Sequence, residues 1–329
     1  VFAATLLTVL MMVYAERRVS AFMQGRLGPN RVGPYGLLQP IADGIKFLMK
    51  EDIIPAGVDK PIFILAPAIL LIPALMTFAV IPFGSDITLF GRQIPLQVAD
   101  VNVGILYILA LTSIGVYGIV LAGWSSNSKY SLLGGLRSSA QLISYELAMG
   151  LAVVSIILLS GSLKLNDIVA DQQGYFLSWN IFKQPLAFII FLVAVYAETN
   201  RLPFDLSEAE QELVGGYHTE YSSMKFAMFF MAEYVNMITA AALTVTLFFG
   251  GWDVPFLNET SLGLWGALLS VTSFILKMGF FLFLFIWVRW TFPRFRYDQL
   301  MRLGWKVMLP IALFNIFVTA GYLTFKAVI

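Results

Sequence analysis

The sequence predicts an all-α protein that crosses a membrane about eight times. Of its 329 residues 59% are apolar and only 12% are charged, and the apolar residues fall into long runs almost free of charge. A soluble domain is ~45–50% apolar and ~25% charged, so this chain lacks the polar groups to cover a water-facing surface. A soluble globular enzyme is thereby excluded. The formal net charge of +1 gives no bulk basic field for nucleic acid. Cysteine is absent and His218 is the single histidine, so no Fe–S or Cys/His zinc ligand set can be built.

A span needs ~20 mostly apolar residues to cross ~30 Å of hydrocarbon. Suitable runs occur at Val1–Ala15, Pro61–Ser85, Val101–Ser128, Leu142–Leu163, Gln184–Ala197, Phe226–Trp252, Leu262–Val288 and Val307–Phe325. The first opens without a methionine, so the native start is expected upstream. The fifth is short and runs straight into Glu198, as suits a helix packed inside protein rather than facing lipid. The connections after spans 1, 3, 5 and 7 hold 16 basic residues against 4 on the other side, with Lys277 inside span 7. That bias places the odd connections in the cytoplasm (or matrix) and both termini outside. No linker or composition shift marks a second domain, so residues 1–329 are expected to form a single transmembrane domain with structured loops at 16–60, 198–225 and 289–306.

Those loops carry the chemistry. The first is dense in Gly25, Gly28, Pro29, Gly33, Pro34 and Gly36, a turn-rich stretch that cannot be regular helix. Beyond it Leu38, Ile41, Ala42, Ile45, Leu48 and Met49 recur at helical spacing, with Asp43, Lys46 and Lys50 on the other side. This is an amphipathic helix lying along the interface. Two readings stay open for it: a seal on the membrane surface, or one wall of a site for an amphipathic ligand.

The connection after the fifth span sets Glu198, Asp205, Glu208, Glu210, Glu212 and Glu220 against Arg201. Glu208, Glu210 and Glu212 are interleaved with apolar residues, which a purely solvated acidic loop would not need. Carboxylates crowded in a partly dry place repel one another and resist ionisation, as a proton relay requires. Glu146, Glu198, Glu233 and Lys277 fall within spans and Glu16 just inside the first. Intramembrane charges are costly and mark functional sites by default; the plainer reading is a structural Glu–Lys pair. No nucleophile arrangement, P-loop or dinucleotide fingerprint is present, so any redox role must draw its electrons from a partner.

Three segments carry a family resemblance. Glu16-Arg17-Arg18 through Gly25-Arg26-Leu27-Gly28-Pro29-Asn30-Arg31-Val32-Gly33-Pro34 to Asp43-Gly44-Ile45-Lys46 is one. Glu198-Thr199-Asn200-Arg201-Leu202-Pro203-Phe204-Asp205-Leu206, with the acidic run to Glu220-Tyr221, is the second. Pro293-Arg294-Phe295-Arg296-Tyr297-Asp298-Gln299-Leu300-Met301 is the third. Together they resemble the NuoH (mitochondrial subunit 1) family of respiratory complex I, the proton-pumping NADH:quinone oxidoreductase, along essentially the whole chain. The resemblance implies a subunit without cofactors of its own. It would anchor a peripheral arm that holds FMN and Fe–S clusters, and would contact small membrane subunits and antiporter-like subunits in a bacterial inner membrane, the mitochondrial inner membrane being the lesser alternative. It implies a quinone chamber at Glu16, Arg17, Arg26, Asp43, Lys46, Arg201, Phe204 and Asp205. It further implies a proton path through Glu146, Glu198, Glu208, Glu210, Glu212, Glu220, Glu233, Tyr234 and Lys277. A homologous anchor of an energy-converting hydrogenase, or a free-standing cation or proton transporter, remains the alternative.

Overall fold

In lipid no water satisfies exposed backbone groups, so long apolar runs must become helices that pair their own N–H and C=O groups. The computed structural model describes residues 2–89, 92–206, 213–256 and 263–328. Its helices begin with α1 (Phe2–Met23), α2 (Gln39–Met49), α3 (Lys60–Met76), α4 (Gly104–Ser125) and α5 (Lys129–Ser160). The short α6 (Leu165–Ala170) and α7 (Asn180–Lys183) precede α8 (Pro185–Glu198), α9 (Ser223–Phe248) and α10 (Leu264–Thr291). Finally α11 (Tyr297–Arg302) passes through a π-helical turn at Leu303–Met308 into α12 (Leu309–Val328). Strands β1 (Ile87–Leu89) and β2 (Arg92–Ile94) form a small antiparallel hairpin between α3 and α4.

Among the described residues, six helical stretches are long and apolar enough to cross a membrane: Lys60–Val80, Gly104–Ser125, Lys129–Ser160, Ser223–Phe248, Leu264–Thr291 and Tyr297–Ala327. The two other expected spans are α1, whose 22 residues include Glu16, Arg17 and Arg18, and α8, with only 14. The largest boundary difference is at α5, which starts at Lys129 rather than near Leu142. Hydropathy does not see this extension because it is rich in Ser and Gly, yet packing favours it. A Cβ on Gly123 would lie 2.7 Å from the Ser131 carbonyl oxygen, and one on Gly134 would lie 2.8 Å from Gly216 Cα. Small residues of this kind let helix backbones approach closely where the bilayer supplies no hydrophobic drive for association.

At the centre stands α9, in which every residue from 237 to 248 is buried. Its last carbonyls, orphaned as at any helix end, are taken up by side chains. The Gln172 carboxamide donates to the Ile168 and Thr246 carbonyls (3.0 and 3.1 Å) and accepts from the Asn180 and Gly250 amides (3.1 Å each). Asn180 Nδ2 donates to the Leu247 carbonyl at 2.9 Å. Lys277 Nζ reaches the carbonyls of Phe249 (2.9 Å), Gly251 (3.1 Å) and Asp253 (2.7 Å) and lies 4.6 Å from the Trp179 ring centroid. Lys277 is therefore bound to main chain at the end of α9 remote from residues 199–222. Replacing it by methionine strands buried acceptors worth roughly 1–3 kcal/mol each, so Lys277→Met is expected to lower the thermal midpoint of the detergent-solubilised protein, read by loss of helical circular dichroism.

Candidate functional site

Tight turns build the first loop. Gly36 has φ 79°, and a Cβ there would sit 2.1 Å from the Pro29 carbonyl oxygen; only glycine fits. The Tyr35 carbonyl accepts bonds from Tyr14 Oη (2.9 Å) and Arg18 (2.8 Å), fastening the loop to α1. The chain then enters α2 through Pro40 in its first turn, where a missing N–H costs nothing. Its Leu38, Ile41, Ile45, Leu48 and Met49 side is exposed, while Asp43 and Phe47 turn inward.

Between α1, α2 and α9 lies a cavity of about 780 Å³. One part of its wall is apolar: Leu10, Val13, Phe47, Phe226, Phe230 and Met231. The other is charged or polar: Glu16, Arg17, Arg26, Asp43, Tyr234 and Arg289, with Trp290. Asp43 pairs with both Arg17 and Lys46 and accepts a 3.1 Å bond from Gln39. Partial burial works against its charge, but the bonds from Lys46 and Arg17 outweigh that and hold the carboxyl below the usual carboxylate range.

Behind the polar wall runs a chain of buried charges. Glu16 on α1 accepts a 2.7 Å bond from Tyr234 Oη on one oxygen. Its other oxygen accepts from Arg201 Nη1 at 2.7 Å and from Arg289. Arg201 Nε lies 2.5 Å from Glu233 Oε1, and the guanidinium sits 4.7 Å from the Tyr234 ring centroid. Only 6% of Arg201 is exposed. One guanidinium thus joins a carboxylate on the cavity wall to a second one behind it. Glu233 in turn lines a smaller internal cavity of about 40 Å³ together with Thr112, Glu146, Glu198, Tyr217 and Asn236. Glu146 accepts the Ser113 hydroxyl, and the Thr112 hydroxyl donates to the Leu109 carbonyl at 2.9 Å. The space is polar and large enough for water, which needs ~10–15 Å³.

The residues singled out in the sequence fall as follows. Glu16, Arg17, Arg26 and Asp43 line the large cavity, as does Tyr234, which the family resemblance had put on the proton path; Lys46 stands behind Asp43. Arg201 bridges the two cavities. Phe204 is buried between Tyr145 and Phe295, with ring centroids 5.5 Å from each, and Asp205 pairs with Arg294 at 2.8 Å; neither lines the large cavity. Glu146, Glu198 and Glu233 share the small cavity, whereas Glu220 is half-buried in the turn before α9 and lines neither. Glu208, Glu210 and Glu212 lie outside the described residues. Lys277 is at the far end of α9, where its ammonium reaches the main-chain carbonyls of Phe249, Gly251 and Asp253. Sequence reasoning passed over Arg289, Arg294, Thr112, Ser113 and Asn236. The need of Glu16 and Glu146 for donors inside the bilayer is the signal that could have raised Arg289 and Ser113.

A family model described as NADH dehydrogenase matches residues 1–320. The chain belongs to this family. It is 60% identical over 330 residues to the NADH-quinone oxidoreductase H 1 subunit of Geobacter sulfurreducens, covering 97% of this chain and 91% of that one. It is 59% identical over 326 residues to NADH-quinone oxidoreductase subunit 8 of Rhodothermus marinus (96% and 93% covered). With the NADH-quinone oxidoreductase H 1 subunit of Cytophaga hutchinsonii the identity is 52% over 322 residues (98% and 94%). Family membership makes the chain one membrane component of a multi-subunit NADH-quinone oxidoreductase, with the other subunits as partners. Among the described residues no group of three or more His, Asp or Glu is placed to hold a metal ion.

Two outcomes test this geometry. Arg201→Met leaves two buried carboxylates without their shared cation, a loss of the order of 3–5 kcal/mol, and is expected to reduce the amount of assembled oxidoreductase seen on native gels. His218, enclosed between the rings of Tyr217 and Phe226 (5.1 Å each), is held by burial at about 4, below its usual 6.5. The unfolded chain therefore binds a proton that the folded chain refuses between these values. The resulting stability is complete above pH 6.5 and declines as pH falls toward 4. A His218→Phe variant should show a shallower fall of thermal midpoint across that window.

Proposed function

We propose that the protein admits a quinone from the bilayer between α1, α2 and α9 and passes the electrostatic effect of its reduction to buried carboxylates that lead toward proton-pumping partners. The observation that carries this reading is Arg201, ion-paired on one side with Glu16 of the large cavity and on the other with Glu233 of the small one. The cavity has the volume of an organic-ligand site, commonly ~300–1,000 Å³, and its half-apolar, half-charged wall matches a ligand with a hydrocarbon tail and a carbonyl head.

Electrons would reach the quinone from Fe–S clusters of a peripheral arm held by partner subunits, FMN being the first acceptor there. This chain's part is to bind the headgroup, exclude bulk water and answer the change in charge. Glu16 is held by Arg201, Arg289 and Tyr234 at once. A proton or charge arriving at Glu16 weakens its claim on Arg201, and the guanidinium then favours Glu233. Two unit charges about 4 Å apart interact by about 4 kcal/mol at an effective dielectric of about 20. Since ~1.4 kcal/mol is tenfold in an equilibrium, such a shift is ample to relocate a proton. From Glu233 the route continues by Glu198 and Glu146, with Glu208, Glu210, Glu212 and Glu220 as the acidic approach. Lys277 is left out, because its ammonium is committed to main-chain carbonyls at the opposite end. The membrane is the bacterial cytoplasmic membrane, with residues 16–60 and 198–225 on the cytoplasmic side.

In inverted membrane vesicles, Glu233→Gln is expected to cut proton uptake per NADH oxidised by about twofold or more, with a smaller effect on quinone reduction. Wild-type values for both would overturn the reading. Phe230→Glu puts a charge on the apolar wall and should raise the KM for a long-tailed quinone about tenfold, ~1.4 kcal/mol, while leaving the ferricyanide reductase rate of the peripheral arm unchanged.

A further inference from the structure

We infer that Gln141 on α5 is the positioning residue that holds Arg201 in register with its two carboxylates. This rests on the proposed role of Arg201 and adds a residue to it. Residues 198–204 leave α8 as a short irregular segment with Arg201 at its middle. Gln141 Nε2 donates to the main chain at both ends of that segment, to the Ala197 carbonyl at 2.8 Å and to the Phe204 carbonyl at 2.8 Å. It also lies 3.4 Å from Asn200 Oδ1, an oxygen that Ser138 Oγ, one turn earlier on α5, approaches at 3.4 Å.

Burial of Gln141 is complete. Its Oε1 has no hydrogen-bond partner among the described residues. A side chain needed only to fill space would be better apolar, because the amide leaves a buried acceptor unmet. What the amide supplies is a pair of N–H donors aimed at two carbonyls seven residues apart, a demand no aliphatic side chain meets. Beside that clamp, the described residues tie the segment by turn bonds, Asn200 N to the Ala197 carbonyl at 3.4 Å and Phe204 N to the Arg201 carbonyl at 2.8 Å, by Thr199 N to the Val195 carbonyl at 3.0 Å, and by Phe295 N to the Pro203 carbonyl at 3.1 Å; none of these spans Arg201 from end to end as Gln141 does. Arg201 tolerates little displacement, since its two ion pairs run to carboxylates on different helices, α1 and α9. Sites of this kind lose function when their supporting contacts loosen by about an ångström.

The test uses the assembled oxidoreductase in inverted membrane vesicles, normalised to ferricyanide reductase activity so that only complexes with an attached peripheral arm are compared. Gln141→Met keeps the length and removes both donors; Gln141→Asn keeps the amide but is too short to reach both carbonyls. Proton uptake per NADH oxidised is expected to fall about twofold in Gln141→Met and by less in Gln141→Asn, with the quinone KM changed by less than about twofold. A purely structural role would lower the amount of complex without altering this ratio. An unchanged ratio in both variants overturns the inference, and so does failure of both to assemble, which would make Gln141 a folding residue. Arg201→Lys is run alongside. If it lowers the ratio and the Gln141 variants do not, only the positioning role fails; if none of them does, the coupling role of Arg201 fails with it.

Discussion

A fully enclosed arginine shared by two glutamates is the constraint around which the rest of this protein is arranged. Removing three charged groups from water costs several kcal/mol for each, a cost offset by the pairing of Arg201 with both glutamates and by the further bonds that Tyr234 and Arg289 give Glu16. The planar guanidinium can address Glu16 and Glu233 from different edges while its face lies on Tyr234, an arrangement that a lysine ammonium cannot reproduce. Tyr234 and Arg289 complete the coordination of Glu16. The packing of α1 against α9, and the seating of the 198–204 segment on α5, are conditions for this cluster to exist.

The large cavity follows from the same arrangement. α1 and α9 are joined by the bond between Glu16 and Tyr234, and α2 closes the cavity beside them with its Asp43 edge inward and its aliphatic edge outward. Arg17 and Asp43 tie that lid to α1. A helix amphipathic in this sense serves both readings left open by its pattern, since it can face lipid on one side and line a ligand chamber on the other.

Much of this was legible in the sequence, and the reasons for the remainder are specific. Length and hydropathy mark the spans because lipid leaves no alternative to helix, and the Pro40 start with its 3–4 spacing marks α2. Glu16, Glu146, Glu198 and Glu233 stand out because charge is rare at that depth. Their partners do not. Arg289 reads as one more basic flank, Ser113 and Thr112 as ordinary span residues, and the first half of α5 as a connection because its Ser and Gly depress hydropathy while improving packing. The carbonyl contacts of Lys277 are equally hidden, because every residue possesses a carbonyl oxygen and no pattern marks the three that the ammonium reaches. Phe204 and Asp205 belong to the same loop as Arg201, but alternate turns of irregular backbone send them to Phe295 and Arg294 instead of to the cavity.

The brevity of α8 has one more consequence. Fourteen residues rise only about 21 Å, short of a ~30 Å hydrocarbon layer, so α8 ends while still packed within protein, and Arg201 just beyond it is 6% exposed. Mobile ions screen exposed charges over ~8–10 Å at ordinary ionic strength, and buried pairs much less. Salt in the surroundings therefore weakens the pairing of Glu16 with Arg201 less than it would a pair on an open surface.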